Sequence, residues 1–195
     1  MEETIKYITD NLIPIIKNTN EKLEGNLFTQ RNSTKITNKF IDKIKNIEYL
    51  SKNSNNILEI GFNSGFSSLL MLFSNPNCKI TCLDICFHKY TKLCYNKIKE
   101  DFKDRINLIE GNSNITIKSL KETYDLIHID GGHTIKVAKE DIKNSILLSD
   151  KKTIIIMDDC DNKNLNKLFN SFDQLKDLED NNLIDTIYHS IKIKV

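Results

Sequence analysis

Asn55-Asn56-Ile57-Leu58-Glu59-Ile60-Gly61-Phe62-Asn63-Ser64-Gly65-Phe66-Ser67-Ser68 is the stretch that decides the fold. Its apolar run, Ile57, Leu58 and Ile60, ends in an acid and a glycine. A small polar turn with a second glycine follows, and a helix is expected to begin at Ser67. The reading is strand, ligand-gripping turn, helix. Gly61 and Gly65 let backbone approach a ligand with no Cβ in the way. Glu59 sets a carboxylate at the strand's C-terminal edge, where open α/β sheets bind their ligands.

Outward from this stretch the same grammar repeats. Lys79 to Cys86 reads as a second strand, Ile106 to Glu110 as a third, Tyr124 to Asp130 as a fourth and Thr153 to Asp158 as a fifth. Helical stripes lie between them: Tyr90, Leu93, Cys94, Ile98 and Phe102; Ile135, Ala138, Ile142 and Ile146; and Leu165, Leu168, Phe169, Phe172 and Leu175. Strands alternating with helices predict an α/β fold with a doubly wound, mainly parallel, Rossmann-like sheet, because parallel strands need crossovers and right-handed crossovers put helices on both faces. The β-branched tail, Leu183 to Val195, is expected to close that sheet at an edge as a strand or hairpin. The first fifty residues carry two more helical patterns. Ile5, Ile8, Leu12, Ile15 and Ile16 form one, interrupted at Pro14; Ile36, Phe40, Ile44 and Ile47 form the other, after a Thr34 cap. Between them, Phe28 to Ser33 reads as either a lid over the ligand or a plain connection. The expected organisation is one domain over residues 1–195, with a helical cap at 1–50 and a cofactor-binding core at 56–195.

Bulk properties narrow the function classes. A chain of 195 residues with 39% hydrophobic content suits one well-buried domain. With 28 basic and 27 acidic residues the net charge is +1, which supplies no strong electrostatic footprint for nucleic acid or an anionic membrane and weakens a nucleic-acid reading. No apolar run approaches the roughly 20 residues that span a bilayer, and Met1-Glu2-Glu3-Thr4 lacks the basic start of a signal peptide. A soluble, cytoplasmic protein is expected. The five cysteines, Cys78, Cys82, Cys86, Cys94 and Cys160, form no Cys-x-x-Cys pair and read as small buried apolar residues.

The chemistry sits at the strand ends. Glu59, Asp84, Glu110-Gly111-Asn112, Asp130 and Asp158-Asp159 finish five successive strands, and parallel strands bring those ends to one rim. Asp84, about twenty residues after the glycine turn, is placed to accept hydrogen bonds from both hydroxyls of a ribose; an acid in that place also serves as a helix cap. A dinucleotide fingerprint would be Gly-x-Gly-x-x-Gly, whereas this turn is Gly61-x-x-x-Gly65 behind a carboxylate. A ligand with positive charge and a ribose, such as S-adenosylmethionine, fits better.

Taken together, Glu59 to Ser67, Leu83-Asp84, Glu110-Gly111-Asn112-Ser113, Ile129-Asp130-Gly131-Gly132-His133 and Met157-Asp158-Asp159 resemble the class I S-adenosylmethionine-dependent methyltransferases. The branch most similar is the metal-dependent small-molecule O-methyltransferases, which include the catechol and sugar enzymes. The resemblance runs from about residue 30 to residue 160. It implies that Glu59, Gly61 and Ser67 hold the methionine part, with Asn63 and Gly65 in the same turn. It also implies that Asp84 holds the ribose and that Ser113 with Asn112 or Asn114 holds the adenine. Asp130, which counts among both the cofactor contacts and the catalytic residues, falls with Asp158 and Asp159 where that branch keeps Mg²⁺ or another divalent cation. Three carboxylates on adjacent strand tips would in any case repel without a cation.

His133 lies where relatives place a base, and a base, a fourth metal ligand and a solvated loop residue are all open to it. His128, inside the fourth strand, reads as a buried structural imidazole. His88 either flanks the adenine or caps a helix, Phe62 and Phe66 read as core, and Lys151-Lys152 as a solvated turn. The implied activity is methyl transfer to a hydroxyl of a small molecule, a sugar or a phenol, with metal assistance; a homodimer is compatible with it. Three alternatives stand beside it: a non-catalytic S-adenosylmethionine-binding module, an N-methyltransferase of nucleic acid or protein, and a nicotinamide dehydrogenase. Asp130-Gly-Gly-His133 in place of an Asn/Asp-Pro-Pro-Tyr motif disfavours the second, and the glycine spacing disfavours the third.

Overall fold

A computed structural model describes residues 1–195. Seven strands form one sheet in the order β3-β2-β1-β4-β5-β7-β6. Strands β1 (Asn56–Ile60), β2 (Lys79–Asp84), β3 (Ile106–Glu110), β4 (Tyr124–Ile129) and β5 (Ser149–Asp158) are mutually parallel, while β7 (His189–Lys194) runs antiparallel to both β5 and β6 (Leu175–Asp177). This is the expected doubly wound, Rossmann-like sheet. The Ile- and Leu-rich strands read as near-continuous apolar runs because helices cover both faces: Ile57, Leu58, Ile60, Leu126, Ile127, Ile155 and Ile156 are all buried. The chain order reverses between β1 and β4, so a crevice opens at their C-terminal ends.

Two apolar cores flank the sheet. One packs α4 (Phe66–Ser74), α5 (Lys89–Phe102) and the N-terminal helices onto one face; the other packs α7 (Ile135–Leu147) and α8 (Lys163–Phe169) onto the opposite face. The short α6 (Ser113–Thr116) follows β3. No helix is long and apolar enough to cross a membrane.

Several local expectations are corrected. Pro14 does not break the first helix. Helix α1 (Glu2–Tyr7), a π turn (Ile8–Leu12) and α2 (Ile13–Asn18) run on without a break; the Ile13 N–H reaches back to the Ile8 carbonyl, and the wider turn absorbs the N–H that Pro14 lacks. Thr34 caps nothing. Ile36 pairs as an isolated bridge with Thr29, and α3 begins only at Ile41 and runs to Ser51. The Leu165 stripe ends at Phe169, and Leu175 belongs to β6. Within the C-terminal antiparallel pair β6 takes the outer edge, so the tail strand β7 lies between β5 and β6. Strand β5 starts at Ser149, which makes Lys151 and Lys152 exposed strand residues.

Candidate active site

Backbone pairing lines the strand tips up. Gly61 N–H donates to the Leu83 carbonyl, Gly111 N–H to that of Asp84 and Asp130 N–H to that of Ile60, each at 2.8 Å. The three bonds bring β1, β2, β3 and β4 to one level. A cavity of about 460 Å³ opens there, a volume in the ordinary range for small-ligand sites. Of the residues singled out in the sequence, Gly61, Asn63, Ser67, Asp84, Asn112, Ser113, Asp130 and His133 line it.

Asp84 is oriented by the turn beside it. Its Oδ2 accepts from Asn63 N–H at 2.8 Å and its Oδ1 from Cys86 N–H at 2.6 Å. Asn63 (φ 51°) and Cys86 (φ 54°) both adopt the left-handed conformation that aims those N–H groups at the carboxylate. Asn112 caps α6, its side chain accepting from Asn114 N–H at 3.0 Å; Asn114 itself stays off the cavity wall. Three wall residues hold buried polar atoms with no partner in the protein: Asn63 Oδ1, Ser64 Oγ and Thr91 Oγ1. Unsatisfied buried groups of this kind are costly unless a ligand or water meets them. A polar nucleoside fits such a wall.

Glu59 corrects the first expectation. It is fully buried and does not line the cavity. Ser67 Oγ donates to its Oε1 at 2.5 Å, Ser68 Oγ donates to its Oε2, and His128 Nδ1 lies 3.2 Å from Oε1. Its carboxylate therefore anchors the start of α4 and steadies Ser67 from behind. Gly65 also stands off the wall. Its φ of +75° and the Phe62 and Ile98 atoms that a Cβ would meet at 2.5 Å and 2.7 Å make it a packing glycine. Gly61, on the wall, is required by a close crossing too, since a Cβ there would sit 2.0 Å from the Asp130 carbonyl oxygen. The lid expectation shifts as well. Phe28 is buried, and the N-terminal residues that reach the cavity are Glu24, Gly25 and Asn26, with Asn63 Nδ2 donating to Glu24 Oε2 at 3.3 Å.

The acidic triad divides. Asp158 is buried off the wall; Lys43 Nζ from α3 donates to its Oδ2, and Asp159 N–H donates to its Oδ1 at 2.9 Å. His128 Nε2 is 3.8 Å from Asp158 Oδ2, so a chain of alternating charge runs Glu59, His128, Asp158, Lys43 beneath the rim. Burial works against the His128 imidazolium, but the Asp158 and Glu59 carboxylates on either side of the ring hold its pKa up at about 10. Burial likewise opposes the Asp158 carboxylate, and Lys43 and His128 outweigh it, holding the carboxyl below its ordinary value. Asp130 is pushed well above the usual carboxylate range by burial and by the Asp158 charge. Asp159, off the cavity wall and in the left-handed conformation at φ 56°, accepts instead from His133 Nε2 at 2.8 Å. That bond raises the His133 pKa to about 9.

The expected three-carboxylate Mg²⁺ set does not fit this arrangement. The donors gather in two mixed sets, Asp130 with His128 and Asp158 and Asp130 with His133 and Asp159, each with an imidazole unlike the all-oxygen shell Mg²⁺ prefers, and both Asp158 oxygens already accept, from Lys43 and from the Asp159 N–H.

Sequence reasoning missed Lys43, which carries no motif, and Thr91 as a wall residue; His88, read as flanking the adenine or capping a helix, lies on the wall at the N-cap of α5. His88 stacks on Tyr90 at 4.7 Å and lies within 4 Å of Glu21 and Glu24. The position of Thr91, one turn into a helix that starts beyond a strand tip, was the available signal.

A family model described as "Methyltransferase domain" matches residues 58–160, just over half of the chain. A bifunctional methyltransferase of Rickettsia bellii is 39% identical over 74 residues, which span 38% of this chain and 13% of that protein. Among solved structures, an SAH-bound methyltransferase of Podospora anserina, PaMTH1, superposes over 100% of this chain and 96% of its own with TM-score 0.66 and 17% identity. Cofactor-bound Rv0187 from MTB covers 98% and 95% with TM-score 0.67 and 13% identity. A candidate caffeoyl-CoA O-methyltransferase of Staphylococcus aureus covers 83% and 86% with TM-score 0.63 and 19% identity. At these identities the solved structures speak for the fold.

Proposed function

The chain belongs to this methyltransferase family, as an S-adenosylmethionine-dependent methyltransferase of class I, and we propose that it methylates a hydroxyl of a small molecule. The observation that carries the hydroxyl reading is the His133–Asp159 pair beside the cavity wall, a proton-accepting group held by a carboxylate next to a ligand-sized space. A hydroxyl must lose its proton as it is methylated, and a positioned imidazole is the side chain suited to take it. The structural neighbour described as a candidate caffeoyl-CoA O-methyltransferase agrees with this acceptor chemistry.

S-adenosylmethionine supplies an electrophilic methyl group on a sulfonium centre. The chain's own residues bind, orient and move the proton. In this reading Asp84 accepts from the ribose hydroxyls, with Asn63 and Cys86 N–H groups fixing its plane. Ser113 and Asn112 meet the adenine edge, and Ser67, braced by Glu59, faces the methionine end. Asn63 Oδ1, Ser64 Oγ and Thr91 Oγ1 gain the partners they lack. With Nε2–H donated to Asp159, His133 Nδ1 is the nitrogen left to take the acceptor's proton. Proton removal falls to His133 because the donor set does not suit Mg²⁺. We further read residues 1–195 as one domain whose N-terminal part caps the core, and place it in the cytoplasm, where its five free cysteines stay reduced.

The test is incubation with methyl-labelled S-adenosylmethionine and a panel of phenols, hydroxycinnamoyl thioesters and sugars, alongside amine acceptors. Label on an oxygen of at least one acceptor is the expected outcome. Label only on nitrogen would overturn the hydroxyl reading.

A further inference from the structure

We propose that the Lys43 ammonium is the resident cation of the acidic strand-tip cluster, standing where a divalent ion would otherwise neutralise Asp158 beside Asp130 and Asp159. Lys43 lies on α3, in the N-terminal layer, 115 residues from its partner along the chain. Its side chain is about one-tenth exposed and its Nζ contacts Asp158 Oδ2 directly. The Phe40 ring lies 5.7 Å from Nζ. The second Asp158 oxygen accepts from a backbone N–H, and the carboxylate is 2% exposed. Mg²⁺ keeps several waters and six oxygen ligands, and this enclosed pair leaves neither the oxygens nor the room. Asp159 has its own partner in His133. Two strand-tip carboxylates thus each have a nitrogen partner from elsewhere in the chain, the Lys43 ammonium for Asp158 and the His133 imidazole for Asp159.

The ammonium also does what a diffusible ion would not: it fastens α3 to the tip of β5. The same helix reaches the C-terminal strand through Asn46, whose Nδ2 donates to the Ile184 carbonyl at 2.8 Å and lies 3.0 Å from His189 Nε2. Lys43 is a positioning residue, acting on the rim through Asp158. The inference rests on the methyl-transfer reading only for the identity of the rim, and its test does not use methyl transfer.

Mn²⁺ added to the full chain and followed by electron paramagnetic resonance reads the ion directly. Wild type is expected to leave the free-ion spectrum unchanged. Lys43→Met keeps the stem and removes the charge, leaving the buried Asp158 without its ammonium partner, and is expected to bind Mn²⁺ at least about tenfold more tightly than wild type. Lys43→Met/Asp158→Asn, which lacks both charges, is expected to lose that binding and to recover much of the melting temperature that Lys43→Met gives up. Retained S-adenosylmethionine binding serves as the check on folding. Stoichiometric Mn²⁺ uptake by wild type overturns the proposal, and so does a Lys43→Met protein that binds S-adenosylmethionine but no Mn²⁺. Should Lys43→Met fail to fold, the wild-type titration decides alone. A failed search for a hydroxyl acceptor leaves these outcomes as they stand.

Discussion

His133 and Asp159 meet at 2.8 Å, and that contact sets a pH dependence. The pair holds the imidazole protonated up to about pH 9, well above the ordinary histidine value. A base works only after losing its proton, so the methyl-transfer rate is expected to climb as pH rises towards 9 and to level beyond it. In His133→Asn the rate is expected to drop by roughly two orders of magnitude, and the climb to vanish. A pH profile of wild type and variant checks both. Asp141 presents the opposite problem. It is fully buried in α7, neither carboxylate oxygen makes a hydrogen bond, and burial raises its pKa to about 6. The folded chain therefore holds a proton that the unfolded chain releases between about pH 4 and 6. The Asp141 contribution to stability is greatest below that window, falls through it and is level above. Asp141→Asn is expected to flatten this fall and to gain about 1–3 kcal/mol at pH 7, read from denaturant midpoints at pH 4 and pH 7.

Between elements, the tip of β1 packs tightly against the chain leaving β4. Gly61 has φ +97° and no space for a Cβ, with the Asp130 carbonyl oxygen 2.0 Å from where one would lie. Gly61→Ala must push two strand tips apart, and is expected to cost roughly 3 kcal/mol or more and to abolish cofactor binding. Gly25→Ala is the matched control: its nearest neighbour would be 3.3 Å away, so a cost below about 1 kcal/mol is expected. Urea unfolding of the two variants separates them. The same crossing shows why the sequence reading assigned this glycine correctly to the turn yet for an incomplete reason. Ligand approach is one reason for a glycine there, and a backbone neighbour 69 residues away is the other.

At the scale of the whole molecule, the cavity draws on β1, β2, α5, α6, the loop after β4 and residues 24–26. A ligand that bridges them binds only the folded chain. S-adenosylmethionine at 100 times its dissociation constant is expected to stabilise the fold by about 2.7 kcal/mol, raising the melting temperature by roughly 5–10 °C for a chain of this size. Asp84→Ala is expected to lose that shift, and an equal shift in both proteins would remove Asp84 from the ribose site.

By itself the sequence determined the alternation of strands and helices, the parallel sheet and the rim of polar strand ends, because hydrophobic period and turn chemistry are local and are read within a few residues. Only the tertiary structure decided which of those acids face a ligand. Glu59 turns inward to Ser67, Ser68 and His128, and Asp158 turns inward to Lys43, while Asp84 and Asp130 reach the cavity. It also decided that β7 would lie between β5 and β6. The charged partners that turn the two carboxylates inward lie far off in the chain, His128 69 residues from Glu59 and Lys43 115 residues from Asp158, and a buried carboxylate takes whatever cation the folded chain brings to it, which no local pattern records.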